Sequence, residues 1–364
     1  MSLSKPDLVL SESLVPRLLA WFATSARDLP WRRTENPYGI WISEIMLQQT
    51  QVATVIPYWE RWMRQLPTVA DLAKAKIDTV LKLWEGLGYY RRARNLHQAA
   101  SQILEQHGGQ FPRDFAAILD LPGVGPYTAG AVASIAFNQA APILDGNVMR
   151  VLSRIYAVAG DLTEKSNNAL LWRLARQLVE QAQQTNQPVG QSCSALNQAL
   201  MELGALVCTP STPHCVDCPA QKLCRAHRDQ KVDQFPQPKK RATSTARFFA
   251  TLVLKKKGRW FLCQRPEDTV NGGFWEFPSL ELENSVHAEQ ALVRWLGLEN
   301  VQLERLGQIA HAITRYRIRQ EVFLHEPGRT PPRLSTAGQW VTSRALQELP
   351  LTGSHRRIVT ELLA

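Results

Sequence analysis

A chain of 364 residues is long for one domain, and a composition that is 45% hydrophobic and 20% charged is typical of a packed globular protein. The sequence has no apolar run of about eighteen residues and no basic start followed by an apolar stretch, so we expect neither a membrane span nor a signal peptide. We therefore expect a cytosolic protein, and its net charge of +10 favours a polyanionic partner such as nucleic acid.

The spacing of apolar residues divides the chain into two folded parts. Residues 7 to about 224 have apolar side chains at helical intervals, as at Leu14 and Leu18, which predicts a mainly α region. Strand patterns and one helix follow, beginning with "RFFATLVLKKKGRWFLCQRP", which predicts a second domain of α+β class. We predict a helical domain over 1–228, a basic solvated linker over 229–247 and an α+β domain over 248–364.

The stretch "LPGVGPYTAG", residues 121–130, lies between two short amphipathic patterns within residues 112–137. It predicts helix, tight turn, helix, in which Gly123 and Gly125 adopt backbone angles that are closed to other residues. The turn would present backbone N–H groups, including that of Val124, at the start of the second helix, where an anion such as a phosphate binds well. An ordinary two-helix turn is the alternative.

Two carboxylic residues are candidates for acid–base chemistry. Glu44 lies in the apolar run "IWISEIMLQQTQV", where burial would raise its pKa, although a solvated helix face is equally compatible with the pattern. Asp145 lies in "APILDGNVMRVLSRI", directly before a helical pattern, so it is either a simple N-cap or a functional charge. A protonated acid and an ionised carboxylate together suit cleavage of a glycosidic bond.

Four of the six cysteines fall within one short segment. Cys208, Cys215, Cys218 and Cys224 have the spacing C-x6-C-x2-C-x5-C, which suits a tetrahedral zinc ion or a [4Fe–4S] cluster. In a reducing cytosol such a group binds metal more often than it forms disulfides. We expect Cys193 and Cys263 to be packed thiols.

The motifs, taken together, resemble those of the MutY-type adenine DNA glycosylases, members of the helix-hairpin-helix and endonuclease III superfamily. The segments that carry the resemblance are "SEIMLQQTQV", "GLGYYRRARNL", "LPGVGPYTAG", "LDGNVMRV" and "NQALMELGALVC". The resemblance implies that Glu44 protonates the five-membered ring of adenine, and that Asp145 stabilises the sugar cation. It also implies that Tyr127 and Asn147 orient Asp145, and that the four cysteines hold a [4Fe–4S] cluster.

The same resemblance assigns residues to DNA contacts. It implies an adenine pocket lined by Arg27, Leu29, Trp31 and Gln198. It implies a DNA-contacting set that includes wedge segments next to the lesion, with Gln49, Thr50, Leu87, Gly88 and Tyr89, and the hairpin turn of Gly123, Val124 and Gly125. In the endonuclease III branch a lysine occupies the position of Tyr127, and a phenol cannot form the Schiff base that strand cleavage requires.

Residues 248–364 resemble the MutT-type, or Nudix, domain that this family carries. The acidic run that holds Mg²⁺ in Nudix hydrolases is reduced here to Glu299 within Arg294–Glu299, so we predict recognition without pyrophosphate hydrolysis. The family's Phe-Ser-His turn for 8-oxoguanine appears as Ile313, Thr314 and Arg315. Arginine is a permanent and longer cation than histidine, and we predict a stronger dependence on salt.

The resemblance thus implies a monofunctional base excision enzyme of the bacterial cytosol or nucleoid. It would act as a monomer on double-stranded DNA, remove adenine paired with 8-oxoguanine or guanine, and leave an abasic site. Three alternatives remain at this stage: a glycosylase/lyase for oxidised pyrimidines, a non-catalytic damage-binding protein, and a Nudix nucleotide hydrolase.

Overall fold

The computed structural model describes residues 5–185, 188, 190–237, 243–267, 269–297, 301–313, 315–328 and 337–363. The chain forms two compact units, and neither is continuous in sequence. The first unit comprises Met1–Lys74 and Gln98–Lys240, and the second comprises Ala75–His97 and Arg241–Ala364. The predicted domains were continuous stretches, so the grouping of residues 75–97 with the C-terminal region is a difference from that prediction. Among the described residues, no helix is both long and apolar enough to cross a membrane.

The helices before the sheet follow one another with short connections. Their bounds are α1 (Lys5–Ser25), α2 (Pro37–Leu47), α3 (Val52–Gln65), α4 (Val69–Lys74), α5 (Ile77–Trp84), α6 (Arg91–Gln106), α7 (Phe115–Leu119), α8 (Pro126–Phe137), α9 (Gly146–Tyr156), α10 (Lys165–Thr185), α11 (Ser192–Leu206) and α12 (Arg225–Arg228). The mainly helical character that the sequence predicts for this part of the chain is confirmed.

Helix α11 is the centre of the first unit, where it packs against α1, α8, α9 and α10. Most of its residues are buried, including Leu196, Leu200 and Leu203, which is typical of a helix in the interior of a domain. Gly204 permits close approach to α9, since a Cβ there would lie 2.7 Å from the Cβ of Asn147. The first turn of α9 is therefore held against α11.

The predicted helix–turn–helix is present as α7 and α8. Asp114 caps α7 by accepting a hydrogen bond from the backbone N–H of Ala117 at 3.0 Å, and Pro126 occupies the first position of α8. Only Gly123 has a left-handed backbone, with φ of +77°, whereas φ of Gly125 is −100°, an angle open to any residue. The expectation for Gly125 is thus wrong as regards backbone angles, but a Cβ there would meet no atom within 4 Å, so its surface is open.

The second unit contains a seven-stranded sheet in the order β3-β2-β1-β6-β5, with β4 paired to β1 and β7 paired to β2. The strands are β1 (Thr245–Lys256), β2 (Arg259–Gln264), β3 (Trp275–Glu276), β4 (Ser279–Leu282), β5 (Glu304–Ile313), β6 (Tyr316–His325) and β7 (Gly338–Thr342). Besides α5 and the start of α6, this unit contains the helices α13 (Ala288–Trp295), α14 (Ser343–Glu348) and α15 (Gly353–Arg357).

Strand β1 contributes side chains to the hydrophobic clusters on both faces of this sheet. Leu252 and Leu254 pack with Leu292 of α13, whereas Val253 packs with Ile358 in the other cluster, because successive side chains of a strand point to opposite faces. The predicted hairpin is confirmed by the pairing of Lys256 with Arg259. The predicted α+β class of this part is confirmed, and Glu299 lies outside the described residues.

The segment predicted as a solvated linker is packed at its start. Val232 and Phe235 lie against the core of the first unit, and their carbonyl oxygens accept hydrogen bonds from Nε of Arg154 at 3.1 and 2.8 Å. Strand β1 begins at Thr245, a little before the boundary that the sequence suggests. Basic composition indicated solvation, but two apolar side chains and one buried arginine fix this stretch.

Candidate active site

A cavity of about 800 Å³ lies in the first unit between α2, α8, α9 and α11. It brings together most of the site residues that the sequence predicts for that unit. The predicted residues that line it are Arg27, Leu29, Trp31, Glu44, Gln49, Thr50, Gly125, Tyr127, Asp145, Asn147 and Gln198. Helices and loops that are distant in sequence converge at this cavity.

Glu44 is a buried acid on α2, and only 5% of its surface is exposed. Its Oε2 accepts a hydrogen bond from the hydroxyl of Tyr127 at 2.8 Å. Burial raises the pKa of Glu44 to about 7, the negative charge of Asp145 raises it as well, and Tyr127 and Arg32 oppose that rise. The alternative of a solvated helix face is wrong, and the group is close to half protonated at neutral pH, which suits a general acid.

Asp145 is the N-cap of α9. Its Oδ1 accepts a hydrogen bond from the backbone N–H of Val148 at 2.7 Å, and its Oδ2 accepts one from Nδ2 of Asn147 at 3.3 Å. Burial raises the pKa of Asp145, while the hydrogen bonds from Val148 and Asn147 and the nearby charge of Arg150 lower it. On balance the pKa of Asp145 is raised, because burial outweighs these donors, and the residue both caps α9 and lines the cavity.

The structure gives Tyr127 and Asn147 different partners. The sequence resemblance implies that both orient Asp145, but the hydroxyl of Tyr127 donates to Oε2 of Glu44 and lies 3.2 Å from Sδ of Met201. Of these two side chains it is that of Asn147 that donates to Asp145, and Nη2 of Arg150 in turn donates to Oδ1 of Asn147 at 2.8 Å. Tyr127 therefore positions the acid, and Asn147 positions the carboxylate.

Glu202 anchors two arginines in the cavity wall. Arg27 binds it through Nε and Nη2 at 2.8 and 2.7 Å, and Nη2 of Arg32 donates to it at 3.0 Å. Burial alone would raise the pKa of Glu202, but the hydrogen bonds from both arginines lower it to about 2. The carboxylate is therefore ionised, and it fixes the guanidinium of Arg27 where the sequence places an adenine pocket.

The residues predicted to contact DNA differ in exposure. Gln49 is exposed and has a left-handed backbone with φ of +56°, which is uncommon for a residue other than glycine. The side chain of Val124 is 8% exposed, so at that position only the backbone is available to a partner. Leu87, Gly88 and Tyr89 belong to the second unit; Leu87 is buried there, and Tyr89 is 49% exposed.

The segment predicted to contact 8-oxoguanine forms the tip of the β5–β6 hairpin. Ile313 is 37% exposed at the end of β5, and Thr314 lies outside the described residues. The guanidinium of Arg315 lies 5.1 Å from the ring centroid of Tyr316 and donates to its hydroxyl at 3.1 Å. The tip therefore presents an apolar side chain and a cation stacked on an aromatic ring.

The four predicted cysteines line one small cavity at the end of α11. Sγ of Cys208 accepts a hydrogen bond from Nη1 of Arg154 at 3.3 Å, and backbone N–H groups reach Cys218 and Cys224. Burial raises the pKa of Cys218 to about 12. Within the described parts of the chain, no three His, Cys, Asp or Glu side chains are placed to hold a single metal ion. Cys193 and Cys263 are buried thiols, as predicted.

Two family descriptions and several known proteins match this chain. The description "HhH-GPD superfamily base excision DNA repair protein" matches residues 42–177, and "NUDIX domain" matches residues 249–361. An adenine DNA glycosylase of Rattus norvegicus is 36% identical over 94% of this chain and 76% of its own length. The chain belongs to the adenine DNA glycosylase family. The adenine DNA glycosylase of Homo sapiens is also 36% identical, over 94% of this chain and 72% of its own.

A solved structure supports the helical fold of this adenine DNA glycosylase family member. A thermostable thymine-DNA glycosylase matches it with a TM-score of 0.54 and 33% identity, over 61% of this chain and 98% of its own. The sequence prediction of a glycosylase domain followed by a Nudix-like domain is therefore confirmed.

Several residues in the cavity wall of this adenine DNA glycosylase were not predicted from the sequence. Arg32, Trp172, Met201 and Glu202 line the cavity but were not predicted. Glu202 follows Gln198 by one helical turn inside an apolar run, and that isolated acid was a detectable signal. Arg32 and Trp172 gave no such signal, since neither lies in one of the quoted motifs.

Tyr127→Phe is expected to shift the alkaline limb of the rate profile of this adenine DNA glycosylase to higher pH. The hydroxyl of Tyr127 lowers the pKa of Glu44, so its removal leaves the acid protonated to higher pH. Single-turnover excision rates from pH 6 to above pH 8 measure the shift, and Tyr58→Phe, a tyrosine that does not line the cavity, is the control. A limb that stays in place or moves to lower pH would contradict the assigned hydrogen bond.

Proposed function

We propose that this protein is a monofunctional glycosylase that hydrolyses the N-glycosidic bond of adenine paired with 8-oxoguanine or guanine in duplex DNA. The observation that carries the proposal is the pair of carboxyl groups in one cavity. Glu44 is buried with a raised pKa, and Asp145 is held by hydrogen-bond donors. When two carboxyl groups in one site have different surroundings, their pKa values differ. One of them can then donate a proton while the other carries a negative charge.

The first step is the departure of the base. Adenine must leave the helix to reach the cavity, where the amide of Gln198 has both a donor and an acceptor for its edge. The carboxyl of Glu44 gives its proton to the five-membered ring, and the electron pair of the C1′–N9 bond goes to the leaving base. The sugar becomes an oxocarbenium ion, and the carboxylate of Asp145 stabilises that positive charge.

The second step adds water to the sugar. Glu44, now ionised, accepts a proton from the water molecule as its oxygen forms the new bond to C1′, and an abasic site remains. Tyr127 lines the cavity at the position where the endonuclease III branch has a lysine, and among the described residues that line this cavity there is no lysine. We therefore propose that the enzyme does not cleave the strand.

Binding to DNA uses three separate features. The turn at Gly123–Gly125 is open and precedes the N-terminus of α8, so it suits contact with a phosphate. Gln49 and Tyr89 are exposed and have left-handed backbones, a kind of strain found at functional sites, and we assign them to insertion into the base stack.

The protein is proposed to act as a monomer in the bacterial cytosol.

We propose that Cys208, Cys215, Cys218 and Cys224 hold a [4Fe–4S] cluster. Their side chains line one cavity, and donors from Arg154 and from the backbone point at their sulfurs, which suits thiolate ligands. When bound, such a cluster closes the loop between Cys208 and Cys224 through iron–thiolate bonds. Visible absorbance and iron content of the purified protein test this assignment; Cys218→Ser should lose both, and Cys193→Ser should keep them.

The Nudix-like domain is proposed to recognise 8-oxoguanine with the tip of its β5–β6 hairpin. Arg315→Ala should reduce excision opposite 8-oxoguanine about tenfold, and opposite guanine less, because one specific contact to a base edge is lost. Single-turnover rates on the two duplexes at two salt concentrations measure the effect. Arg319→Ala, an exposed arginine on the same hairpin, is the control. If the excision rate falls equally on both duplexes, Arg315 contacts only a phosphate and not the base edge.

A panel of duplexes tests the proposed activity as a whole. We expect strand breaks only after alkali on duplexes with adenine opposite 8-oxoguanine or guanine, and none on a duplex with thymine glycol. Breaks without alkali would indicate a lyase, and release of product from thymine glycol would indicate the endonuclease III branch. Binding to the first duplex without excision would indicate a damage-binding protein.

A further inference from the structure

The turn that carries Tyr89 has an unusual backbone. Gly86, Gly88 and Tyr89 all have positive φ, with values of +102°, +70° and +47°. Tyr89 is the one large side chain of this turn that is exposed, whereas Leu87 and Tyr90 are each 6% exposed. A tyrosine in a left-handed conformation is strained, so the surrounding contacts must hold it there.

Arg92 and Trp84 fix this turn from the inside. Nη2 of Arg92 donates to the carbonyl oxygens of Leu87 and Gly88 at 3.1 and 3.0 Å, and Nε1 of Trp84 donates to that of Gly88 at 3.1 Å. The guanidinium of Arg92 is itself buried, and burial lowers its pKa to about 10. Carbonyl groups that would otherwise be free to rotate are therefore tied to one buried cation.

Residues on both sides of the turn are attached to the C-terminal part of the same unit. Glu85 precedes it and binds Arg356 through both carboxylate oxygens, at 2.5 and 3.2 Å. The side chains of this ion pair are 11% and 18% exposed, so water screens it little. Tyr90 follows the turn, and its ring lies against that of Phe274 with centroids 3.9 Å apart. The turn is thus held at its first and last residues.

A third attachment lies one helical turn further along. Nε of Arg94 donates to the carbonyl oxygen of Gly272 at 3.2 Å. The adjacent Gly273 has φ of +76°, and a Cβ there would lie 1.8 Å from Nη2 of Arg94. The left-handed backbone favours glycine at this position, and a side chain there would displace the end of the Arg94 side chain from the segment 272–274.

We propose that Phe274 and Arg356 are positioning residues that brace the Tyr89 turn for base extrusion. This inference rests on the proposed role of Tyr89 as an inserted wedge. A side chain that enters a base stack is pushed back by the stacking that it displaces, and a strained turn without support relaxes. The stacked rings connect the turn to Phe274 beside β3, and the ion pair connects it to Arg356 of α15, which gives the Nudix-like domain a structural role beside lesion recognition.

A double-mutant cycle tests the brace. Arg356→Ala, Tyr89→Ala and the double variant are compared on a duplex with adenine opposite 8-oxoguanine. Base extrusion is followed by the fluorescence of 2-aminopurine beside a 2′-fluoro target adenosine, which resists cleavage. Arg344→Ala is the matched control, because its exposed salt bridge with Glu348 lies on a surface helix. Glu85→Gln and Phe274→Leu are further variants, and melting temperatures show which of them fold.

We expect Arg356→Ala to slow extrusion about tenfold to a hundredfold, in line with the effect of small misplacements far from the chemistry. In the Tyr89→Ala background the same substitution should have no further effect, which a loss of general stability would not produce. Equal losses in both backgrounds, or none in folded Arg356→Ala and Glu85→Gln, would overturn the brace alone. If Tyr89→Ala leaves extrusion unchanged, the wedge assignment fails and the brace fails with it.

Discussion

Glu44→Gln is expected to lower the rate of adenine excision by about 10² to 10⁴-fold, the usual contribution of a general acid. Affinity for a duplex with adenine opposite 8-oxoguanine should stay the same, because glutamine has the shape of glutamate and still accepts the hydrogen bond from Tyr127. Single-turnover excision and equilibrium binding are measured side by side. Retention of more than a tenth of the wild-type rate would remove Glu44 from the proposed mechanism.

The same variant has an expected signature in stability. The pKa of Glu44 is about 7 in the folded protein against 4.5 as a reference, so the folded state retains its proton as pH rises. The stabilising contribution of the neutral acid is complete below about pH 4.5 and is lost as pH rises through 7. The wild-type free energy of unfolding should therefore fall by about 3 kcal/mol relative to Glu44→Gln across this window. Denaturant titrations at several pH values measure this difference.

Asp145→Asn is expected to separate capping from catalysis. Asparagine is as good an N-cap as aspartate, and its amide oxygen can accept the hydrogen bond from the N–H of Val148, so stability should change by less than about 1 kcal/mol. The negative charge opposite the sugar cation is lost, and excision should fall by about 10² to 10³-fold, as when one preorganised electrostatic partner is removed. Thermal unfolding and single-turnover rates are the measurements.

Two further substitutions define what this result means. Asp145→Ala should lose excision and also about 1 kcal/mol of stability, because the cap is removed as well. Asn147→Ala removes the donor to Oδ2 and should impair excision less than Asp145→Asn does. An Asp145→Asn variant with near wild-type rates would show that the residue is only a cap.

The residues of the chemical site were predictable where one short motif contains the signal. Glu44 stands alone in an apolar run, Asp145 precedes a helix, and the four cysteines have a regular spacing, so each is visible locally. The hydrogen-bond partner of Tyr127 could not be predicted from the sequence, because the hydroxyl could reach either carboxylate. The packing of α2 against α8 decides between Glu44 and Asp145.

Contacts between residues that are far apart in the chain also could not be predicted from the sequence. Glu202 is 175 residues from Arg27 in sequence, and no local pattern pairs them. The grouping of residues 75–97 with the C-terminal region arises from single contacts such as that of Tyr90 with Phe274. Helix periodicity predicts where α5 and α6 form but not which core they join.

The discontinuous second unit has a consequence for how the chain matures on the ribosome. Glu85, Tyr90 and Arg94 emerge early, but their partners at Gly272, Phe274 and Arg356 are added only near the end of synthesis. At typical elongation rates of about 5–20 residues per second, this delay is tens of seconds at the slower end. A nascent chain interrupted before Arg356 lacks the ion pair with Glu85, so the contacts that flank the Tyr89 turn are complete only late in translation.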